Sequence, residues 1–344
     1  MRKSLLIIGV AVLIVAGVVT LITIRRNNSA NTVATTGTTT TTIPIPIAPL
    51  TGLPDPTGAG LKRSALTVKI ENTPEALPQW GVEDADAVYE EIVNGGITRL
   101  AAIFNSRAPI KVGPVRSVRP TDTQVVWPIG GIFAYSGGAP YAIASIATVP
   151  GLKLVDESSA GTAMFRDLSL LSPHNLFGVA PALFAFGGTP TPPKPLFTYR
   201  PAAQKATGRK INTFIVHFPS IYSVTWTWDT TTSSWDRTLF GKPDVTGTGV
   251  LESPKNVIVM YVDYVNGVGA FTSYANLQGT GTADVFTDGR EVTGTWSRGS
   301  SKADPLTYQT ASGQVIGMTP GQTWVELLNT GGVVTLNPPA SQSG

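Results

Sequence analysis

A chain of 344 residues, 42% of them hydrophobic, is long enough for two ordinary domains and too apolar to be disordered. Of its 25 basic residues, Arg2, Lys3, Arg25 and Arg26 flank one apolar run, so 25 − 4 = 21 remain against 22 acidic ones, a balance that excludes a nucleic-acid binder. There is no cysteine, which excludes disulfides, thiolate-ligated metal and a lipidated N-terminal cysteine.

Residues 5–24 are an unbroken run of apolar and small residues, long enough at about 1.5 Å per residue to cross a bilayer core of roughly 30 Å. A cleaved signal peptide has an apolar region of only about 7 to 15 residues, and no small-x-small site follows Ile24. Residues 1–26 are therefore expected to be an uncleaved membrane anchor, with a single transmembrane helix. Residues 27–48 are rich in Thr and Pro, poor in large apolar groups, and predict a stalk. Such stalks lift domains off an outer membrane surface, which predicts a single-pass protein of the cell membrane with an extracellular ectodomain.

Order is expected from Pro49. The alternation at residues 65–70 predicts a strand that delivers Glu71 and Asn72 at its end. Residues 88–93 and 98–104 flank Asn94-Gly95-Gly96 and predict a hairpin, because Asn and Gly accept positive φ. Side chains alternate along a strand, so Glu90 and Glu91 must point to opposite faces, and at most one readily joins a site on a given face. Thr121-Asp122-Thr123-Gln124 has capping-box spacing after Pro120, predicting a short helix that runs to Trp127-Pro128. Arg116 and Arg119 then lie at the approach to its N-terminus, where guanidinium groups and amide donors suit a carboxylate or phosphate. Phe133-Ala134-Tyr135-Ser136-Gly137-Gly138 predicts a strand running into a glycine turn. Arg166-Asp167 and Ser172-Pro173-His174-Asn175 carry the remaining polarity of this half, and the prolines between 190 and 195 make a break.

Beyond residue 211 the texture changes to short alternating strands at 213–218, 223–228, 257–265, 285–296 and 323–328. Asp288-Gly289 predicts a tight hairpin turn. The expected fold class is α+β: a mixed α/β domain with the polar site at 49–205, a smaller mostly β domain at 206–338, and a loose tail at 339–344.

The chemistry narrows by elimination. There are two histidines; His217 sits in an apolar strand, whereas His174 sits in a loop, where no core explains it. No His-Glu-x-x-His spacing, serine elbow or glycine-rich phosphate loop exists, so neither metal nor cofactor is expected. Ser136 before Gly137-Gly138 reads as a strand-end turn rather than a nucleophile. Glu71, Glu90, Glu91 and Asp122 are candidate carboxylates for acid and base work, or partners for Arg99, Arg116 and Arg119 in an internal ion network. Three guanidinium groups within 21 residues of a mostly apolar segment need anionic partners, from the acids or from a ligand. Trp226, Trp228, Trp235, Trp296 and Trp324 read as core and sheet-face residues.

These residues carry a family resemblance. Pro49-Leu50-Thr51-Gly52-Leu53-Pro54, Val68-Lys69-Ile70-Glu71-Asn72, Tyr89-Glu90-Glu91-Ile92-Val93, Gly95-Gly96-Ile97-Thr98-Arg99, Gly113-Pro114-Val115-Arg116-Ser117, Arg119-Pro120-Thr121-Asp122, Ser136-Gly137-Gly138 and Pro173-His174-Asn175-Leu176 resemble the YerB-like family. This is a bacterial extracytoplasmic domain of unknown function, catalogued with lipoproteins, in an N-terminal and a C-terminal part. In the second half Gly294-Thr295-Trp296-Ser297-Arg298 and Pro320-Gly321-Gln322-Thr323-Trp324-Val325-Glu326 look similar too, so coverage runs from about 49 to 330. Many members look anchored through a cysteine; this chain has none and offers an apolar segment instead. The resemblance implies an envelope location and two parts, and no activity.

The expectation from residues and resemblance together is an envelope protein that binds an anionic or glycan ligand of the cell wall. Its ligand site would comprise Glu71, Glu90, Arg99, Arg116, Arg119, Asp122, His174 and Asn175, with arginines holding the anion and acids orienting them. The alternatives are a hydrolase or transferase acting on a wall polymer or its lipid-linked precursor, with a carboxylate or His174 as base, and an envelope scaffold with an internally neutralised cluster. Expected partners are the membrane, wall polymer and envelope proteins.

Overall fold

The alternating stretches of the first half become strands β1 (Leu66–Glu71), β2 (Ala87–Ile92), β3 (Thr98–Phe104), β4 (Ile132–Tyr135) and β5 (Lys153–Asp156), and a small pair, β6 (Met164–Arg166) and β7 (Leu176–Gly178). The second half supplies β8 (Arg209–Lys210), β9 (Thr213–His217), β10 (Ser223–Asp229), β11 (Ser234–Leu239), β12 (Lys242–Pro243) and β13 (Asn256–Val262). Then come β14 (Tyr264–Val265), β15 (Tyr274–Ala275), β16 (Gly279–Thr287), β17 (Arg290–Arg298), β18 (Thr307–Gln309), β19 (Thr323–Asn329) and β20 (Val333–Asn337). The computed structural model describes residues 45–201 and 203–337. The anchor expected at 1–26, the stalk up to residue 44 and the tail at 339–344 lie outside the described residues, and no helix among those described is long and apolar enough to cross a membrane. At the end of the expected stalk, Ala48 is buried and its N–H donates to Leu53 O at 2.8 Å.

Both predicted hairpins form. Asn94-Gly95-Gly96 links antiparallel β2 and β3, with Gly95 and Gly96 at φ 82° and 76°, and Asp288-Gly289 links β16 and β17 at φ 54° and 68°. The helices are three among the described residues and short: α1 (Pro120–Val126), α2 (Pro140–Ile146) and α3 (Ala180–Phe184). Each has a proline in its first turn, where a missing N–H costs nothing. The capping box begins two residues earlier than expected, because Arg119, not Thr121, is the N-cap: its backbone N–H donates to Asp122 Oδ2 at 2.6 Å. Thr121 Oγ1 instead accepts the Ala275 N–H at 3.0 Å, tying α1 to β15.

The expected α+β class, with its mixed α/β first domain, is overturned. The fold is mostly β, and its largest sheet has eleven strands drawn from both halves, in the order β18-β17-β16-β13-β19-β2-β3-β1-β4-β5, with β8 paired to β17. The reason is β19. It runs parallel to β13 on one side and parallel to β2 on the other, pairing Val325 with Ile258 and with Tyr89. The apolar segments of the first half stop after five to seven residues as helices, too short to form a helical layer.

A second, five-stranded antiparallel sheet, β12-β11-β10-β9-β20, lies against the large one. Its inward side chains are aromatic: Phe214 stacks on Phe286 with centroids 3.5 Å apart, and Trp226 meets Trp324 edge-on at 5.4 Å. Trp226, Trp235, Trp296 and Trp324 are buried in the core and Trp228 is half-buried against it. His217 points to the other side of this sheet, with Nε2 2.9 Å from Thr335 Oγ1.

Because β19 is hydrogen-bonded into both halves, the described residues should unfold as one cooperative unit. Tryptophan fluorescence and far-UV circular dichroism should give coincident denaturant transitions. Phe286→Ala should move both midpoints together, with a loss of about 3–5 kcal/mol; two separated transitions would refute the shared-sheet account.

Candidate functional site

The centre of the large sheet carries charge on both faces. Rows of cross-strand partners decide which groups meet. Glu71 on β1, Arg99 on β3 and Glu91 on β2 form one row, and Lys69 lies on the same face one step along. Ala101 is the β3 residue in the row of Lys69, small enough to leave the lysine a path to β2. Lys69 Nζ donates to Glu91 Oε1 and, at 2.9 Å, to Asp122 Oδ1 on α1. All three side chains are buried. Glu71 lies buried at the end of β1, where Arg116 Nη2 donates to its Oε1 at 2.7 Å and His174 Nδ1 meets its Oε2 at 2.9 Å.

Glu90 sits in the next row, on the opposite face. Its Oε1 accepts from Asn72 Nδ2 at 2.9 Å and its Oε2 from Arg237 Nη2 at 2.7 Å. Arg237, on β11, also pairs with Asp244 and lies over the Trp324 ring at 4.6 Å. Glu326 on β19 pairs in register with Glu90, and its Oε1 accepts from Trp226 Nε1 at 3.1 Å. Of the two adjacent glutamates, Glu91 therefore belongs with Glu71 and the arginines, and Glu90 joins the two sheets. Glu90 is fully enclosed there. The alternation named this division in advance; which face held the arginines required β3 in place.

Arg116 and Arg119 lie on the segment before α1, held against the turn after β4 by Ser136 N to Arg116 O at 2.9 Å and Val118 N to Gly137 O at 3.1 Å. A Cβ on Gly138 would meet Val118 Cγ1 at 2.6 Å, so this glycine serves close packing of the two segments. Arg119 donates to Val118 O at 2.9 Å and to Asn94 Oδ1 at 3.0 Å, not to a carboxylate. Arg99 is only 9% exposed, and its one side-chain donation among the described residues is from Nη1 to Ser117 O at 3.2 Å. The Nε atoms of Arg99 and Arg116 are buried without a partner among the described residues. Burial, then the charges of Arg119 and Arg116, pull Arg99 down to about 10 against the opposing charges of Glu71 and Glu91. On this face four cations, Lys69, Arg99, Arg116 and Arg119, stand against three carboxylates, Glu71, Glu91 and Asp122, leaving 4 − 3 = one positive charge in excess.

Asn175 is placed apart from this cluster. Its Oδ1 accepts from Arg166 Nη1 at 2.8 Å, and Arg166 holds Glu157, whose Oε2 accepts from Ser136 Oγ at 3.1 Å. This chain of contacts forms a polar rim beside His174 and braces its loop. Sequence reasoning missed Lys69 as a member of the site, although Thr67, Lys69 and Glu71 already share one parity in β1. Arg237 and Glu326 carried no local signal. A cleft of about 600 Å³ opens beside His174, between residues 75–80 and 167–174; the cluster reaches it through the pairing of Glu71 with His174.

A mostly β protein with a buried ionic core and an excess of guanidinium groups at its edge is the class that fold and site define. Residues 50–187 match the N-terminal domain and residues 214–325 the C-terminal domain of the family described as "Protein of unknown function (DUF3048)", and the chain belongs to that family. The protein described as "Putative lipoprotein YerB" of Bacillus subtilis (strain 168) is 41% identical over 95 residues, which span 28% of this chain and 28% of that relative. A crystal structure of the YerB protein from Bacillus subtilis matches with a TM-score of 0.73 at 22% identity, over 84% of this chain and 99% of that one, a likeness of fold.

Two pH dependences follow. Burial, reinforced by Glu91 and opposed by Lys69, raises the Asp122 carboxyl from 3.8 to about 6. The folded state therefore holds this proton more tightly, and the stability it contributes is present below about pH 4 and lost as pH rises to about 6. Relative to Asp122→Asn, which keeps an acceptor for the Arg119 N–H, the wild type should lose on the order of 1–3 kcal/mol over that window in denaturant titrations. A pH-independent difference would sink the assignment. Burial, then Glu90, raise Glu326 well above the ordinary range. Glu326→Gln should match or exceed wild-type stability by on the order of 1 kcal/mol near pH 8 and fall behind toward about pH 5; the reverse trend would show that Glu326 is ionised in the fold.

Proposed function

We propose that this protein works on the outer side of the cell membrane and binds an anionic ligand of the envelope at Arg99, Arg116, Arg119 and His174. The observation that carries the proposal is Arg99, enclosed beside Arg116 and Arg119 as well as Glu71 and Glu91, yet hydrogen-bonded among the described residues to Ser117 O and to no carboxylate, with its Nε unpartnered. A buried guanidinium is costly to leave with unmet N–H groups, and a bound carboxylate or phosphate would supply the acceptors. The name of the Bacillus relative, a lipoprotein, supports the location. Wall polymer is the proposed ligand source, with Glu71 and Asp122 orienting the cationic groups.

A second reading, a hydrolase or transferase, is favoured by one contact. Glu71 holds His174 Nδ1 at 2.9 Å, the arrangement that orients an imidazole to act as a base through its other nitrogen. Here Glu71 is the positioning residue and His174 the base, at the edge of the cleft.

The full-length chain should bind purified anionic wall polymer and inorganic phosphate. Arg116→Ala with Arg119→Ala, shown by circular dichroism to be folded, should weaken both by about 10-fold or more, since each charge-assisted hydrogen bond is worth about 1.5–3 kcal/mol. Equal binding by the folded variant would refute the arginine site. Product release from the polymer, lost in His174→Asn while binding persists, would decide for catalysis.

A further inference from the structure

Glu71 is shared by two donors of different kinds. On its Oε1 is a guanidinium, Arg116 Nη2 at 2.7 Å, and on its Oε2 an imidazole, His174 Nδ1 at 2.9 Å. Imidazole is the side chain whose charge changes between about pH 5 and 8. The Thr73 hydroxyl adds a third donor, to Oε1 at 3.2 Å. The carboxylate is only 2% exposed, so these groups rather than water decide how its charge is shared.

His174 is placed to exchange a proton with solvent. Its side chain is 22% exposed and lines the cleft, and with Nδ1 held by Glu71 the second proton is taken up at Nε2. The charged groups around it come from four elements. Glu71 stands at the end of β1, Arg116 before α1, Glu75 on the facing wall of the cleft, and Asp167 on the loop of His174 itself, where Lys111 pairs with it at 2.8 Å. Arg99 lies across from Glu71 in its row. While the imidazole is neutral, the one negative charge of Glu71 is left to Arg116. Once it is protonated, that carboxylate faces two cations. The surplus falls beside Arg116, whose Nε is buried without a partner among the described residues.

Resting on the anion-site reading above, we infer that anion binding is coupled to protonation of His174 through Glu71: the site takes up its anion together with a proton and releases both as pH rises. The cationic excess on this face grows when the imidazole is charged, and a bound anion in turn favours the charged imidazole. Asp122 is the competing titratable group, since burial raises its carboxyl to about 6, and its protonation would also add positive charge to the face.

The test titrates sulfate, a dianion throughout this range, into the full-length chain by calorimetry at about pH 5.5 and about pH 8, within and at the edge of the imidazole range, with folding checked by circular dichroism at both. Sulfate should bind about 10-fold more tightly at the lower pH, the scale of one unit charge acting over a few ångströms in partly solvated surroundings. His174→Gln, which keeps a donor for Glu71 and carries no charge, should lose most of that gain. Asp122→Asn should keep the gain, whatever its absolute affinity. Coupling is equal in both directions, so by NMR the His174 ring should titrate about one pH unit higher with sulfate bound than without it for a tenfold gain. The other histidine, His217, lies beside Thr335 and Ser223 on the second sheet, and its signal should not move. If sulfate binds equally at both pH values and weakens in the Arg116→Ala, Arg119→Ala variant, the anion site stands and the coupling is overturned. A gain that persists in His174→Gln and vanishes in Asp122→Asn would assign the proton to Asp122, which also overturns it. If the wild type binds no sulfate at either pH, the anion site and the coupling fall together.

Discussion

The parallel pairing of β19 with β2 is the constraint on which the rest of this fold depends. It brings a strand from near the C-terminal end of the described chain between β13 and the first hairpin, and so makes one sheet of two sequence halves. A parallel pair of this kind needs a long connection, and here the connection is most of the molecule. The register it sets places Glu326 beside Glu90, and the second sheet then brings Arg237 and Trp226 to that pair. Ionic groups this deep are tolerated because each is met by a specific partner, and their desolvation makes the joint exacting rather than strong.

The two faces of β1, β2 and β3 divide the labour. On one face Glu90, Asn72 and Arg237 join the sheets and are closed to solvent. On the other, Lys69 is satisfied by Glu91 and Asp122, Glu71 is shared by Arg116 and His174, and the guanidinium groups of Arg99 and Arg119 find only neutral acceptors. The Arg237 joint is unbalanced in the other sense, one guanidinium meeting both Glu90 and Asp244. The excess of cationic groups on the second face is the physical content of the proposed anion site.

Much of this arrangement was legible from local rules. Hydrophobic alternation marked β1, β2, β3, β9, β10 and β19 to within a residue or two, and turn chemistry marked both hairpins, because these features depend on neighbours in the chain. The three arginines within 21 residues and the capping spacing at Asp122 marked one part of the cluster, and the end of the strand predicted at 65–70 marked Glu71. The fold class was not legible. The helices at 140–146 and 180–184 end within two turns, too short for the helical layer that a mixed α/β domain requires. The partner of β2 lies more than 200 residues away, beyond the reach of any periodicity.

The sequence by itself determined which residues alternate, where the chain turns, that Glu90 and Glu91 must part, and that three arginines near one strand need anions, since all of these follow from backbone geometry and local composition. Only the tertiary structure decided that Glu91 and not Glu90 shares a face with Arg99, that Asn175 braces a loop, and that Arg99 donates to Ser117 O rather than to the carboxylates in its row. Those outcomes depend on which strands become neighbours and on what is buried between them, and pairing across long separations is set by packing of the whole molecule.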